Sequence, residues 1–165
     1  FEQGCKVYGT EISKTIVQKC MQYLNKNKIK AELKVGFNSA IPYKNNFFNY
    51  VLACHSCYYL DESDIFDDNL REISRVLKKN GTFVGSVPNM NNYYFKDREK
   101  ISVNKFKIKS DYLKIRNDCI VAGFNNKNNV KKYLSKYFKS INFGFTYNNF
   151  YGINENMIIF SCLKK

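Results

Sequence analysis

Several features of membrane and secreted proteins are missing from this sequence of 165 residues. No apolar run approaches the roughly 20 residues that a membrane-spanning helix needs. No basic segment followed by an apolar one resembles a secretion signal. We therefore expect a cytoplasmic protein that does not bind a membrane.

Metal-binding residues are sparse as well. The six cysteines are spread along the chain, mostly in apolar runs, where a thiol behaves as a small apolar side chain. We expect them to be reduced and buried. The segment "CHSC" (54–57) has C-x-x-C spacing and contains His55, the only histidine. A zinc site needs four ligands, and a second pair at suitable spacing is missing, so we predict no metal.

Acidic residues are half as frequent as basic ones, 14 against 27, which gives a net charge of +13. Such an excess is typical of proteins that bind nucleic acids. Here, however, lysine is scattered and alternates with asparagine, as in "NNKNNVKK" (125–132) and "LNKNKIK" (24–30). Scatter favours a solvated surface over a phosphate-binding stripe, so we do not expect a nucleic-acid partner.

Length and composition predict one domain over residues 1–165. The sequence is 44% hydrophobic and 16% aromatic, enough for one sizeable core, and it contains no repeat and no long linker. It begins with Phe1, and "FEQGC" (1–5) resembles the last turn of a helix that closes on Gly4. We therefore expect that a further segment precedes Phe1.

Strands and helices alternate over the first half of the chain. A strand at 6–11 leads to Ser13, which can cap a helix with apolar residues at helical spacing (Ile16, Val17, Cys20, Met21, Leu24). An extended segment follows at 31–35, and the apolar segment 47–54 is typical of a strand buried on both faces. A helix at 64–77 and a strand at 82–88 complete the pattern. This alternation predicts parallel pairing in a doubly wound sheet.

The pattern changes after Pro88. Residues 89–126 contain aromatic and basic side chains without a clear period, so we expect an irregular excursion with at most a short helix or strand. A helix around Val130 and Leu134 follows, and then strand-like runs at 140–147 and 157–163. About nine residues join these two runs, too few for a crossover helix, so we predict an antiparallel hairpin.

Glu11 is a candidate ligand-binding residue. A strand that ends on an acid, directly before a helix, often places the carboxylate at the mouth of a ligand crevice. The alternative is a solvated glutamate in a turn.

Four segments together carry a family resemblance: "VYGTEIS" (7–13), "GFNSAIPY" (36–43), "NNFFNYVLACHSCYYL" (45–60) and "LREISRVLKKNGTFVGSVP" (70–88). They resemble class I S-adenosylmethionine-dependent methyltransferases of the small-molecule type. The resemblance implies a Rossmann-like, doubly wound, mostly parallel sheet that ends in an antiparallel hairpin. It also implies S-adenosylmethionine as the cofactor.

Position by position, the resemblance assigns the cofactor to the ends of the strands. Glu11 matches the acid that holds the ribose hydroxyls, and a carboxylate offers two acceptor oxygens to a vicinal diol. Ile12 matches the apolar wall under the adenine, with core packing as the alternative. Asn38 and Ser39 match the loop at the adenine edge. Cys54 lies at the end of the strand predicted at 47–54 and is a further candidate for binding the cofactor. Many relatives have aspartate where this chain has Phe37.

One part of the family pattern is missing from the chain. Relatives begin with a first strand and an acidic, glycine-rich loop around the methionine part of the cofactor, and nothing here matches them. Without that strand, backbone edges in the middle of the sheet would stay unpaired. We therefore expect an amino-terminally truncated domain that is inactive alone and binds the cofactor weakly or not at all.

Candidate acceptor residues follow the apolar strand and Pro88. His55 lies where ligands gather in such sheets and is the candidate general base, with a structural role or a cofactor contact as alternatives. Tyr58 and Tyr59 are candidates for the acceptor pocket, with core packing as the alternative. Tyr94 and Arg98 lie in the excursion, where the family resemblance places substrate-covering elements.

The sequence thus predicts a methyltransferase that acts on a small-molecule acceptor. Two alternatives stay open: an RNA methyltransferase or basic RNA-binding module, suggested by the net charge, and an inactive nucleotide-binding remnant, suggested by the missing loop.

Overall fold

The computed structural model describes residues 4–165, and the helix turn predicted over 1–5 lies for the most part outside the described residues. The described elements are, in chain order, β1 (Val7–Glu11), α1 (Lys14–Lys26), β2 (Ala31–Val35), β3 (Phe48–Ala53), β4 (Tyr59–Leu60), α2 (Phe66–Val76), β5 (Leu77–Pro88), a 3-10 turn (Tyr93–Phe95), β6 (Asp97–Ser102), β7 (Lys105–Ser110), β8 (Ile120–Ala122), α3 (Lys127–Tyr137), β9 (Phe138–Phe150) and β10 (Ile153–Lys164).

The described strands form three sheets. β1 and β2 pair in parallel, β3, β5, β10 and β9 form a second sheet in that order, and β4, β8, β7 and β6 form a third. The predicted α/β class is confirmed, but the mostly parallel pairing is not matched. Only β1 with β2 and β3 with β5 pair in parallel, whereas the other five described pairings are antiparallel. The antiparallel pairings come from the chain after Pro88. This part of the chain provides β9 and β10 and three of the four strands of the third sheet.

The parallel strands point the same way. Near the starts of β1 and β3, the rings of Tyr8 and Phe48 lie 5.6 Å apart. Beyond the ends of β2 and β3, the side-chain amide of Asn38 donates to the carbonyl of Ser56 at 2.9 Å. Their carboxyl ends therefore meet on one side of the molecule. Within residues 4–165, β1 pairs only with β2, and β3 only with β5.

β3 differs from its prediction. Its apolar sequence indicated burial on both faces, yet Tyr50 and Leu52 are each 75% exposed. Val51 and Ala53, on the other face, pack against the core. The described chain places no helix over the outer face of β3, since α1 contacts β1 and β2.

α1 begins at the predicted cap, whereas α2 begins at Phe66 and not at residue 64 as predicted. Ser13 caps α1 by accepting the backbone N–H of Ile16 through Oγ at 3.3 Å. The carboxylate of Asp68 accepts the N–H of Ile65 at 3.0 Å at the start of α2. The end of α2 was predicted one residue too late, and β5 begins at Leu77 instead of at residue 82. Because no loop separates the two, Asn80 takes the left-handed φ of 60° within β5.

Residues 89–126 are more ordered than predicted. They contain the 3-10 turn and β6 to β8, and Phe106, Ile108 and Val121 reach the main core. The prediction of an irregular segment was wrong: β7 alternates lysines with Phe106 and Ile108, which is a strand pattern, but it extends over only six residues. Lys105, only 5% exposed, anchors this sheet to the loop before α2. Its ammonium donates to the carbonyls of Asp61, Glu62 and Asp64 at 2.5–3.1 Å.

The carboxyl-terminal antiparallel hairpin is confirmed. β9 and β10 pair along most of their length, joined by Tyr151 and Gly152. Both strands are longer than the sequence pattern indicated, because exposed polar residues continue the pairing. Within residues 4–165, no helix is both long enough and apolar enough to cross a bilayer.

The cysteines are unpaired but not all buried. Cys57 and Cys162 lie in the core, as expected, whereas Cys5, Cys20 and Cys54 are exposed and Cys119 is partly exposed. The exposed cysteines are next to apolar residues in the sequence. Those residues, however, lie on faces that no other part of the described chain covers.

Candidate active site

Glu11 lies at the carboxyl end of β1 and is partly exposed. Its Oε1 accepts the backbone N–H of Ile12 at 2.8 Å, and its carbonyl accepts the N–H of Gly36 at 3.1 Å. Residue 36 must be glycine, because a Cβ there would lie 2.5 Å from the Pro42 ring and 3.0 Å from Thr10. Among the described residues, Oε2 of Glu11 has no hydrogen-bond donor. The carboxylate is thus held in place with one oxygen available to a ligand.

Apolar side chains flank this carboxylate. Ile12 is 64% and Phe37 46% exposed, although both are large hydrophobic residues. Phe37 and Ala40 exchange backbone hydrogen bonds at 3.1 and 3.3 Å, which closes a tight turn around Asn38 and Ser39. The structure therefore brings four of the predicted cofactor residues, Glu11, Ile12, Asn38 and Ser39, to one end of the β1–β2 sheet.

Asn38 connects this turn to the loop after β3. Its Nδ2 donates to the carbonyls of Ser56 at 2.9 Å and Tyr59 at 3.2 Å. Both donations come from the amide nitrogen, so the side-chain oxygen is left to accept a hydrogen bond. Cys54 lies on the neighbouring strand end, with its side chain exposed.

His55 follows directly and takes a left-handed backbone conformation, with φ of 55°. Its backbone N–H donates to Oγ of Ser86 at 2.8 Å, which ties the residue to β5. The imidazole is 48% exposed, and its Nδ1 lies 3.8 Å from a carboxylate oxygen of Glu155 on β10. An imidazole beside a carboxylate at the end of a strand is suited to accept a proton from a bound molecule.

The predicted acceptor residues separate into three environments. Tyr58 and Tyr94 lie in the core, which was the packing alternative for Tyr58, and their hydroxyls have no hydrogen-bond partner in the described chain. Tyr59 is partly exposed and stacks on Tyr58 with ring centroids 4.8 Å apart. Arg98 is exposed, donates to the Phe95 carbonyl, and lies over the Phe106 ring at 5.7 Å.

Sequence reasoning missed the side chains that connect these residues. Arg116 is one basic residue among several in 89–126, and its Nε donates to the Tyr59 hydroxyl at 3.1 Å. Of the residues that contact His55, Ser86 lies in the predicted strand 82–88, whereas Glu155 lies in the predicted connection before residue 157. No spacing in the sequence indicates these contacts, because they join segments 31 to 100 residues apart.

A large open cavity lies elsewhere. It has a volume of about 670 Å³ and is lined by residues 4–8 and 28–32 together with Asn25. This position is at the amino ends of β1 and β2, opposite Glu11. The strand ends, with their free polar atoms, are the better candidate for chemistry than this open space.

The parallel strands with a carboxylate, an amide and a histidine at their carboxyl ends define a Rossmann-like enzyme domain. The family model described as "Methyltransferase domain" matches residues 1–85, more than half of the chain. The chain belongs to the methyltransferase domain family, which confirms the enzyme class predicted from the sequence.

Solved structures show the same fold. A SAM-dependent methyltransferase from Methanosarcina mazei superposes with a TM-score of 0.76 at 16% identity, covering 98% of this chain and 83% of that one. A protein from Pyrococcus horikoshii gives 0.69 at 16% identity, covering 99% and 74%. An S-adenosylmethionine-dependent methyltransferase from Clostridium acetobutylicum gives 0.64 at 12%, covering 98% and 76%. No curated protein sequence matches the chain.

The residues at the strand ends suit the nucleoside half of S-adenosylmethionine, the cofactor predicted from the sequence and named for two of these neighbours. Glu11 has a free carboxylate oxygen, and Ile12 and Phe37 offer apolar surface beside it. For the methionine half, the described chain provides only the loop around Cys54 and His55.

Proposed function

We propose that this domain transfers a methyl group from S-adenosylmethionine to a small-molecule acceptor. The observation that carries the proposal is the fixed carboxylate of Glu11, with one free oxygen, between two exposed apolar side chains at the end of a parallel strand. Membership of the methyltransferase family supports the reaction. The same proposal includes a cytoplasmic location, which suits a protein with exposed unpaired thiols.

In this proposal the nucleoside is bound by four residues. Glu11 accepts hydrogen bonds from the ribose hydroxyls, since a carboxylate can bind both hydroxyls of a diol. Ile12 and Phe37 contact the faces of the adenine. The side-chain oxygen of Asn38 accepts from the exocyclic amine, because its nitrogen is already committed to two carbonyls.

The chemistry requires one proton acceptor at most. When bound, S-adenosylmethionine supplies a methyl carbon on a sulfonium leaving group. The imidazole of His55 would accept the proton that the acceptor atom loses. Glu155, 3.8 Å from Nδ1, then stabilises the imidazolium.

We also propose that residues 1–165 form one domain in which residues 89–126 cover the acceptor. The third sheet packs on the same core as α2 and β5, which supports a single unit. Within residues 89–126, Arg116 hydrogen bonds to Tyr93 and also to Tyr59, which follows the loop that contains His55. A cover of this kind favours a small molecule over a polymer as the acceptor.

The test is a titration of the ¹⁵N-labelled chain with S-adenosylhomocysteine, followed by backbone amide shifts. We expect shifts at residues 11–13 and 36–39, and an affinity at least about tenfold lower in Glu11→Gln, because the charge-assisted hydrogen bonds are lost. Glu32→Gln is the control, since the Glu32 side chain makes only an exposed ion pair with Lys34. Equal affinity in Glu11→Gln and the control would contradict the proposal.

A further inference from the structure

Four tyrosines surround one arginine on the acceptor side of the domain. We call Tyr58, Tyr59, Tyr93, Tyr94 and Arg116 the Arg116 cluster. Nε of Arg116 donates to the Tyr59 hydroxyl at 3.1 Å, and Nη1 donates to the Tyr93 hydroxyl at 2.9 Å. The guanidinium carbon lies 4.7 Å from the centre of the Tyr94 ring. The Arg116 side chain is only 13% exposed, so the cluster holds a positive charge in a largely buried position.

The Arg116 cluster has more hydrogen-bond donors than acceptors. Tyr59 accepts from Nε of Arg116, so its hydroxyl keeps its own proton to donate. The Tyr93 hydroxyl accepts from Nη1 and also faces Asp111 as an acceptor. The hydroxyls of Tyr58 and Tyr94 are fully buried next to each other and are not accessible to a ligand. Among residues 4–165, Nη2 of Arg116 has no partner, so this edge of the guanidinium and the Tyr59 hydroxyl are the donors left for a ligand with acceptor oxygens.

The nearest protein carboxylate does not fill this role. Asp111 is completely buried, and its two oxygens accept the backbone N–H groups of Leu113, Ile115 and Arg116 at 3.0–3.2 Å. Its Oδ2 lies 3.8 Å from Nη1 of Arg116, which is beyond hydrogen-bonding distance. Asp111 therefore balances part of the arginine charge without accepting a hydrogen bond from the guanidinium.

The Arg116 cluster adjoins the loop of the candidate base. Tyr59, which accepts from Nε of Arg116, follows His55 closely in the chain, and its backbone N–H donates to the Ser56 carbonyl at 3.2 Å. Burial raises the pKa of the Tyr93 hydroxyl, which keeps it protonated. A small molecule bound at the cluster therefore lies next to the loop that contains His55.

We infer that the Arg116 cluster binds a carboxylate of the methyl acceptor, so that the acceptor is a small carboxylic acid whose nucleophilic atom faces His55. This inference rests on the proposed function. A carboxylate matches the planar guanidinium edge and the Tyr59 O–H group. A phosphate dianion fits less well, because it brings two negative charges to an arginine that already has Asp111 nearby.

The experiment measures binding of benzoate and of benzamide to the full chain by calorimetry. The two probes have the same shape, but only benzoate is a carboxylate. We expect benzoate to bind more tightly by at least about tenfold, and Arg116→Gln to remove that preference. Tyr59→Phe removes one donor with little change in volume and is expected to weaken benzoate binding by about fivefold.

Matched controls keep the test independent of folding. Arg71→Gln removes the same charge from an exposed arginine, and Tyr147→Phe removes the hydroxyl of an exposed tyrosine. Neither is expected to change benzoate affinity. If Arg116→Gln does not fold, Tyr59→Phe and Arg116→Lys give the answer, since Lys keeps the charge and loses the planar edge. Equal binding of both probes, or benzoate binding that survives Tyr59→Phe and Arg116→Lys unchanged, would overturn the inference.

Failure of this inference differs from failure of the proposed function. If the nucleoside titration shows the Glu11-dependent shifts while benzoate does not bind at the Arg116 cluster, only the acceptor class is wrong. If benzoate binds with the expected dependence on Arg116 and the nucleoside produces no shifts, the proposed cofactor site is wrong and the carboxylate site stands.

Discussion

The side chain of Asn38 hydrogen bonds to the carbonyl of Ser56 at 2.9 Å, across 18 positions of sequence. Asn38 belongs to the turn after β2, and Ser56 to the loop after β3. The contact joins the proposed nucleoside residues to the loop that contains His55. Since β1 and β3 are not paired with each other, this side-chain contact aligns the two halves of the site.

Replacement of Asn38 by alanine is expected to lower the free energy of unfolding by about 1–3 kcal/mol, because two carbonyls lose their donor. Urea denaturation measures the change. Asn128→Ala, at an exposed position of α3, is the control and should change stability by less than about 0.5 kcal/mol. Equal effects of the two substitutions would show that the contact with Ser56 does not hold the loops together.

Lys105 is expected to be among the most important residues for the third sheet. Lys105→Met keeps the length of the side chain but leaves the carbonyls of Asp61, Glu62 and Asp64 without their donor. We expect a loss of about 2–4 kcal/mol in urea denaturation. Lys107→Met, which breaks only a surface ion pair with Asp118, should cost less than about 1 kcal/mol. A small effect of Lys105→Met would mean that water replaces the ammonium.

The sequence predicted the parallel strands well and the excursion poorly, for physical reasons. β1, α1 and β2 have local signals: the Ser13 cap, apolar residues at helical spacing, and Gly36 where the chain turns against Pro42. β6 to β8 are only three to six residues long, which gives weak local signals. Lys105, in β7, is buried through backbone contacts that no local pattern indicates.

The candidate site was predictable only in part. Glu11, Asn38 and His55 lie at strand ends, a position that the order of elements fixes. Arg116 depends on contacts with Tyr59 and Tyr93, from segments 57 and 23 residues away. Such long-range side-chain contacts leave no periodic trace in the sequence, which is why the Arg116 cluster emerged only from the structure.

Cysteine reactivity should separate the two kinds of thiol. Burial raises the pKa of Cys57 and of Cys162 to about 12, so both remain protonated and unreactive at pH 8. The exposed Cys5, Cys20 and Cys54 should react with iodoacetamide in the native protein. Mass spectrometry of peptides, before and after denaturation in urea, measures the difference. Rapid native labelling of Cys57 would contradict its buried position.

Acid should weaken the packing of residues 41–45 on α2. Arg75 hydrogen bonds to both carboxylate oxygens of Glu72 and to the carbonyls of Ile41 and Tyr43. The hydrogen bond from Arg75 lowers the pKa of Glu72 below its usual 4.5. Because the pKa of Glu72 is lower in the folded than in the unfolded protein, its contact with Arg75 stabilises the fold above about pH 4.5. This stabilisation is lost as the pH falls through the pKa of Glu72 in the folded protein.

Glu72→Gln should therefore be less stable than the unaltered chain at pH 7 and should lose less stability between about pH 5 and pH 3. Thermal unfolding across this range measures both effects. Glu62→Gln, at an exposed site, provides the comparison. Parallel pH profiles for the Glu72 variant and the unaltered chain would show that the ion pair with Arg75 does not contribute.

The chain of residues 1–165 is expected to bind S-adenosylmethionine more weakly than micromolar. In the described residues, β1 and β3 each lack a strand partner on one side, and Tyr50 and Leu52 are exposed beside that edge. The contacts available to a cofactor are confined to its nucleoside half, at Glu11, Ile12 and Asn38.

Calorimetry on the purified chain measures this affinity directly. We expect little heat at micromolar concentrations, together with the Glu11-dependent amide shifts at millimolar ligand, since the nucleoside residues are already in place. Glu11→Gln should abolish the shifts, and Glu32→Gln should keep them. Micromolar binding at one molecule per chain would show that the loop around Cys54 and His55 also holds the methionine half, and the open edge of β3 would then be no obstacle to binding.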